Sequence, residues 1–85
     1  MYEIIWKPKA RKQLNKVGDR SAMRAIGLAV MGLAGFPACS GVKRLQNHTY
    51  EYRLRVGAYR VLFDVEDTVR IIEIQEVKKR DERTY

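Results

Sequence analysis

Tyr52-Arg53-Leu54-Arg55-Val56-Gly57-Ala58-Tyr59-Arg60-Val61-Leu62-Phe63 decides the fold of this chain. Apolar and polar residues alternate on both sides of Gly57-Ala58, and a Gly-first pair suits a two-residue type II′ turn between antiparallel strands. With that turn fixed, Val56 lies opposite Tyr59, Arg55 opposite Arg60, Leu54 opposite Val61 and Arg53 opposite Leu62. Tyr52, Leu54, Val56, Tyr59, Val61 and Phe63 then share one face, which is core. Arg53, Arg55 and Arg60 share the other. Like charges placed across a ladder oppose pairing by several tenths of a kcal/mol, roughly the inverse of the ~0.2–1 kcal/mol that a good cross-strand pair contributes. Folding alone gives no reason for the arrangement, whereas an anionic ligand does.

Reading outward, the hairpin strands extend over about 50–56 and 59–66, and a third strand over 69–77 joins through Asp67-Thr68. Pairing from that second turn sets Phe63 opposite Ile72, Val61 opposite Ile74, Leu62 opposite Glu73 and Arg60 opposite Gln75. Upstream, Tyr2–Trp6 reads as a short strand, and Pro8 suits the first position of a helix. Ala10, Leu14 and Val17 recur at helical spacing, with Lys9, Arg11, Lys12 and Lys16 on the other side, so a basic amphipathic helix is expected over 8–17 with Gly18 as its stop. Asp19 or Ser21 caps a second helix over about 20–34, carrying Met23, Ile26, Val30 and Leu33. From Ala22 to Phe36 its only charge is Arg24. Phe36-Pro37 ends it, and the loop over 38–49 starts a strand near 42–45. The expected fold is α+β, one domain over 1–85 in the order β-α-α-β-β-β. Both N-terminal helices pack on one face of a twisted antiparallel sheet, leaving the opposite face as an open basic groove.

Seventeen Lys and Arg against ten Asp and Glu give the 85 residues a net charge of +7, which favours a polyanionic partner. Nucleic acid is the first such partner and an anionic membrane surface the second. Cys39 is the lone cysteine, so no intrachain disulfide forms and a cytosolic setting is expected. No apolar run approaches the ~20 residues needed to span a bilayer, and the chain is expected to be soluble, with no membrane partner. One His and one Cys, without H-E-x-x-H, C-x-x-C or spaced carboxylates, give no metal site. Phosphate-binding glycine loops are absent too, so no cofactor is expected. His48 sits in a polar loop, with a loop-bonding role.

The remaining chemistry is that of the basic face. Arg53, Arg55 and Arg60 can grip phosphate with bidentate forks and stabilise the extra charge of a pentacoordinate phosphorane. Tyr85 follows the charged tail Lys78-Lys79-Arg80-Asp81-Glu82-Arg83-Thr84. Nearby cations favour its phenolate and make it the candidate base. RNA needs no metal for such cleavage, because the ribose 2′-OH can attack its own adjacent phosphate; DNA would be inert. The competing reading is a solvated face, partly neutralised by Glu51 opposite Asp64 and by Glu73 diagonal to Arg60.

The strand order, Tyr52-Arg53-Leu54-Arg55, Gly57-x-Tyr59-Arg60-Val61-Leu62-Phe63 and Val77-Lys78-Lys79-Arg80-Asp81-x-x-x-Tyr85 together resemble the RelE/ParE superfamily of bacterial toxins. In the RelE branch the resemblance implies a ribosome-dependent, metal-independent endoribonuclease that cuts mRNA in the A site, leaving a 2′,3′-cyclic phosphate and a 5′-OH. Carried over by position, Arg53 and Arg55 match two basic residues of the second strand, and Arg60 the transition-state arginine. Lys79 or Arg80 matches the basic residue near the leaving oxygen, and Tyr85 the general base. Where the best-known member has Lys on that strand, this chain has Arg, which keeps charge but transfers no proton. Lys9, Arg11, Lys12, Lys16, Lys43, Arg44, Lys78 and Arg83 are expected to meet RNA or ribosome. The resemblance further implies a RelB-like acidic antitoxin that wraps the toxin, suited to the apolar second helix and the groove, with DNA contacted only through that antitoxin. A ParE-like toxin that poisons DNA gyrase without hydrolysis is the alternative from the same superfamily.

Overall fold

The computed structural model describes residues 1–79. Its elements are β1 (Glu3–Trp6), α1 (Pro8–Asn15), α2 (Arg20–Met31), β2 (Val42–Arg44), β3 (Tyr52–Val56), β4 (Tyr59–Glu66) and β5 (Ile71–Lys79). Asp19 is the residue that caps α2, its Oδ1 accepting the Ser21 and Ala22 N–H groups at 2.9 and 3.2 Å. The α-helix stops at Met31, three residues short of the sequence reading, and Gly32–Gly35 tighten into a 3₁₀ turn. Glycine at both ends of that turn weakens the longer helix there.

The strands form one sheet in the order β1-β5-β4-β3-β2. It is mixed and not wholly antiparallel, because β1 lies parallel to β5, with Glu3 beside Ile71 and Trp6 beside Ile74. The intervening helices supply the crossover that a parallel pair needs. They cover one face, where Ile26, Val30 and Leu33 of the helical segment meet Leu54, Val61, Phe63, Ile72, Ile74 and Val77 in a single core cluster with Ala10 and Tyr2. Fully burying one such side chain stabilises by about 1.5–3 kcal/mol, several times the arginine repulsion, so the apolar face sets the register.

The first hairpin has the expected pairing throughout, from Val56–Tyr59 to Tyr52–Phe63. Gly57 takes φ +57°, the left-handed first position of a type II′ turn. The second hairpin corrects the sequence reading. Its loop is the four residues 67–70, closed by Arg70 N–H on the Asp67 carbonyl at 3.3 Å, so Glu66 pairs with Ile71 and Phe63 with Ile74. The Tyr2 hydroxyl takes the Asp67 side chain, and Arg70 lies over the Tyr2 ring at 4.6 Å, which draws the loop toward β1. A β-bulge between Leu62 and Phe63 then shifts the ladder again, and Val61 pairs with Val77, Leu62 with Glu76 and Arg60 with Lys78. Gln75 is the extra residue on β5.

Candidate functional site

On the face away from the helices the register builds two cross-strand rows. Lys43, Arg53, Leu62 and Glu76 form one, from β2 to β5; Arg55, Arg60 and Lys78 form the next, closer to the Gly57 turn. Leu62 is buried, at 5% exposure, yet stands apart from the main core, so it is an apolar floor between cations. Arg53 and Arg60 are half-buried, while Arg55 and Lys78 are exposed. Gly41, at φ +80°, lets the loop before β2 lie against the backbone of Arg55, whose N–H donates to the Gly41 carbonyl at 3.0 Å; a Cβ there would meet the Arg55 carbonyl at 3.4 Å.

Lys78 is thus the β5 cation that shares the arginine face. Lys79 pairs with Tyr59 and follows the strand's alternation to the helix side. Arg44 is likewise separated from the arginines, since it pairs with Tyr52, donates to the Tyr52 hydroxyl at 3.1 Å and lies over that ring. Arg80, Arg83 and Tyr85 lie outside the described residues.

Farther from the turn the same face becomes acidic. Asp64 is opposite Glu73, so the expected diagonal of Glu73 to Arg60 does not form. Glu51 and Asp64 bind backbone instead of arginine: Asp64 Oδ1 accepts the Glu51 N–H at 2.8 Å, and Glu51 Oε1 accepts the Val65 N–H at 2.9 Å. Both carboxylates extend the β3–β4 ladder and leave the cationic rows to one end of the sheet.

Glu76 is the residue that sequence reasoning missed. It is buried, at 8% exposure, and is the sole buried charged side chain among the described residues. Its Oε2 meets Lys9 Nζ at 2.7 Å and its Oε1 lies 3.6 Å from Lys78 Nζ. Burial alone would push its carboxyl up, but the Lys9 hydrogen bond and the two ammonium charges outweigh that and hold it below the ordinary glutamate value. The same contact pushes Lys9 up. These groups meet because β1 ends at Trp6, and α1 takes over the exposed edge of β5: Gln13 Oε1 accepts the Val77 N–H at 2.8 Å. Lys9, Lys12 and Lys16 line a shallow groove with Pro8 and Gln13, while Arg11 points to another side of the helix.

His48 has the loop-bonding role expected of it: its Nδ1 accepts the Tyr50 N–H at 3.0 Å. Burial pushes the Cys39 thiol up, away from the reactive thiolate. Among the described residues no group of His, Cys, Asp and Glu could hold a metal ion, and no helix is long and apolar enough to cross a membrane.

A mixed sheet with its two helices on one side and cations gathered on the other defines a class that the comparisons make explicit. Residues 4–84 match the family described as the ParE toxin of the type II toxin–antitoxin system parDE. The chain belongs to that family, and so to the RelE/ParE superfamily of type II toxins. Among solved structures it is similar to the RelE–RelB complex of the archaeon Pyrococcus horikoshii, with TM-score 0.79 and 24% identity over 98% of each chain. The RelBE2 complex of Mycobacterium tuberculosis gives TM-score 0.79 and 22% identity over 93% of this chain and 98% of that one. The isolated RelE toxin of E. coli gives 0.78 and 19% over 99% and 88%. At these identities the likeness is one of fold. No curated protein matches the chain by sequence.

Proposed function

We propose that this toxin is a metal-independent endoribonuclease that cuts mRNA in the ribosomal A site by attack of a ribose 2′-OH on the adjacent phosphate. The observation that carries the reading is the row Arg55–Arg60–Lys78, an alignment of cations that opposes sheet pairing and that a bound phosphate would repay. In the proposed reaction the 2′ oxygen loses its proton and bonds to phosphorus, passing through a pentacoordinate phosphorane. The bond to the 5′ oxygen then breaks, and that oxygen takes up a proton. Arg60 and Arg55 would bind the non-bridging oxygens, whose charge grows along this path; always-charged donors fixed in advance are the right stabilisers. Lys78, facing them with a transferable proton, is better oriented than Lys79 to serve the leaving 5′ oxygen. Arg53 and Lys43 would hold a neighbouring phosphate, and the α1 lysines ribosomal RNA. Tyr85 stays the proposed base, on the strength of the superfamily resemblance, and Arg80 and Arg83 would add charge beside it.

The partner we propose is an acidic, RelB-like antitoxin that neutralises the toxin by wrapping it. Leu28 and Met31 of α2, 59% and 68% exposed, offer it an apolar ridge.

Gyrase poisoning by a ParE-like mechanism is the second reading, favoured by the family model that matches the chain. Induction in cells separates the two. Codon-phased cuts in translated mRNA, mapped by primer extension, support the first; a DNA-damage response with intact mRNA supports the second.

A further inference from the structure

We propose that Glu76 is a positioning residue, which holds the Lys78 ammonium beside Arg60 and ties the cationic row to α1 through Lys9. The proposal rests on the ribonuclease reading for its activity readout. Folding gains from ionising Glu76 but does not require a carboxylate at this position. Glu76 stands across from Leu62, where an apolar side chain of similar size would pack, and its partners Lys9 and Lys78, with side chains 60% and 56% exposed, would return to water and leave no buried charge unpaired. What an apolar side chain cannot do is direct a flexible lysine. Lys78 is 56% exposed on its side chain, and its other neighbour across the ladder is an arginine, which repels it. The Glu76 carboxylate, 3.6 Å away, opposes that repulsion. Lys9 fixes the carboxylate in turn, with the tighter contact of 2.7 Å, so helix, carboxylate and lysine form one chain of charges.

The bulge is part of the device. At such a bulge two successive residues oppose one on the partner strand, and bulges next to active sites re-aim side chains. Here the extra residue Gln75 brings Glu76 opposite Leu62 and Lys78 opposite Arg60, while Val77 enters the core. In an unbulged ladder from the Phe63–Ile74 pair, Glu76 would oppose Val61 and Lys78 would oppose Tyr59, both on the helix side.

The test compares Glu76→Met and Glu76→Gln in the full chain, alone and combined with Lys78→Met. Thermal melting of Glu76→Met should match or exceed that of the wild type. Cleavage of ribosome-bound mRNA at saturating toxin should fall about fivefold, the scale of one partly exposed charge pair, in both Glu76 variants. In the Lys78→Met background the same replacements should cause no further loss. Ammonium-selective NMR provides a readout without activity: Lys78 protons protected from exchange in the wild type should lose protection in Glu76→Met. Full activity in Glu76→Met, an equal loss with and without Lys78, or unchanged Lys78 exchange would overturn the proposal. If the wild type cuts no mRNA, the ribonuclease reading falls, and the exchange measurement alone decides whether Glu76 holds Lys78.

Discussion

Lys78 stands opposite Arg60 because β5 carries one residue more than β4 requires, and Val77, between Glu76 and Lys78, is turned into the core at 6% exposure. The bulge thus makes a prediction about Val77. Val77→Asp should destabilise by more than about 3 kcal/mol in urea denaturation, the cost of an unpaired buried charge. A loss below about 1 kcal/mol, usual for a surface position, would mean that Val77 faces water and that Lys78 is not on the arginine side.

Arg60→Ala should abolish toxicity without unfolding the protein, because the arginine is half-buried and lies outside the apolar core. Growth after induction and a melting curve on the same variant check both halves. Unfolding of Arg60→Ala would assign the residue to the fold instead.

The Glu76 carboxyl is held below its ordinary value in the folded protein, so the unfolded chain binds its proton first as pH falls. Its contribution to stability is therefore complete at neutral pH and is lost as pH drops through the depressed folded value. Stability measured against pH for wild type and Glu76→Gln should show a gap at pH 7 that narrows from roughly pH 5 downward, as glutamate linkage requires. A gap that stays constant to pH 3 would show that the charge of Glu76 contributes nothing to folding.

Leu28→Asp with Met31→Asp should leave thermal stability within about 1 kcal/mol, since both side chains are exposed. Coexpression with the toxin's own antitoxin should then no longer restore growth. Full rescue would remove the α2 ridge from the antitoxin interface.

How far the sequence led differs between the two hairpins. Gly57-Ala58 admits one tight turn, and the three apolar residues on each side of it that share one face leave no second register, so the pairing of Arg55 with Arg60 was legible in advance. The second turn held no such signal: Asp67-Thr68 looks like a two-residue loop, but Tyr2 and Arg70, far apart in the chain, stabilise a four-residue one. The bulge left a trace that simple alternation overlooks. Ile72 and Ile74 are two apart, while Val77 follows three later, a break in period that marks an extra residue in a half-buried strand. Without it, plain alternation along β5 would put Lys79 and not Lys78 on the arginine face, whereas the resemblance names Lys79 or Arg80. Glu76 was hidden because its partner Lys9 comes from α1, and only the early end of β1 lets that helix reach β5.

The most direct measurement uses purified toxin, ribosomes and an mRNA carrying a single 2′-deoxynucleotide at the scissile position in the A site. Self-attack by the ribose on its own phosphate predicts that the all-ribose message is cut to a 2′,3′-cyclic phosphate and a 5′-OH, without added metal, and that the deoxy-substituted message stays whole. Equal cutting of both messages, or no cutting of either while gyrase is inhibited in parallel, would contradict it.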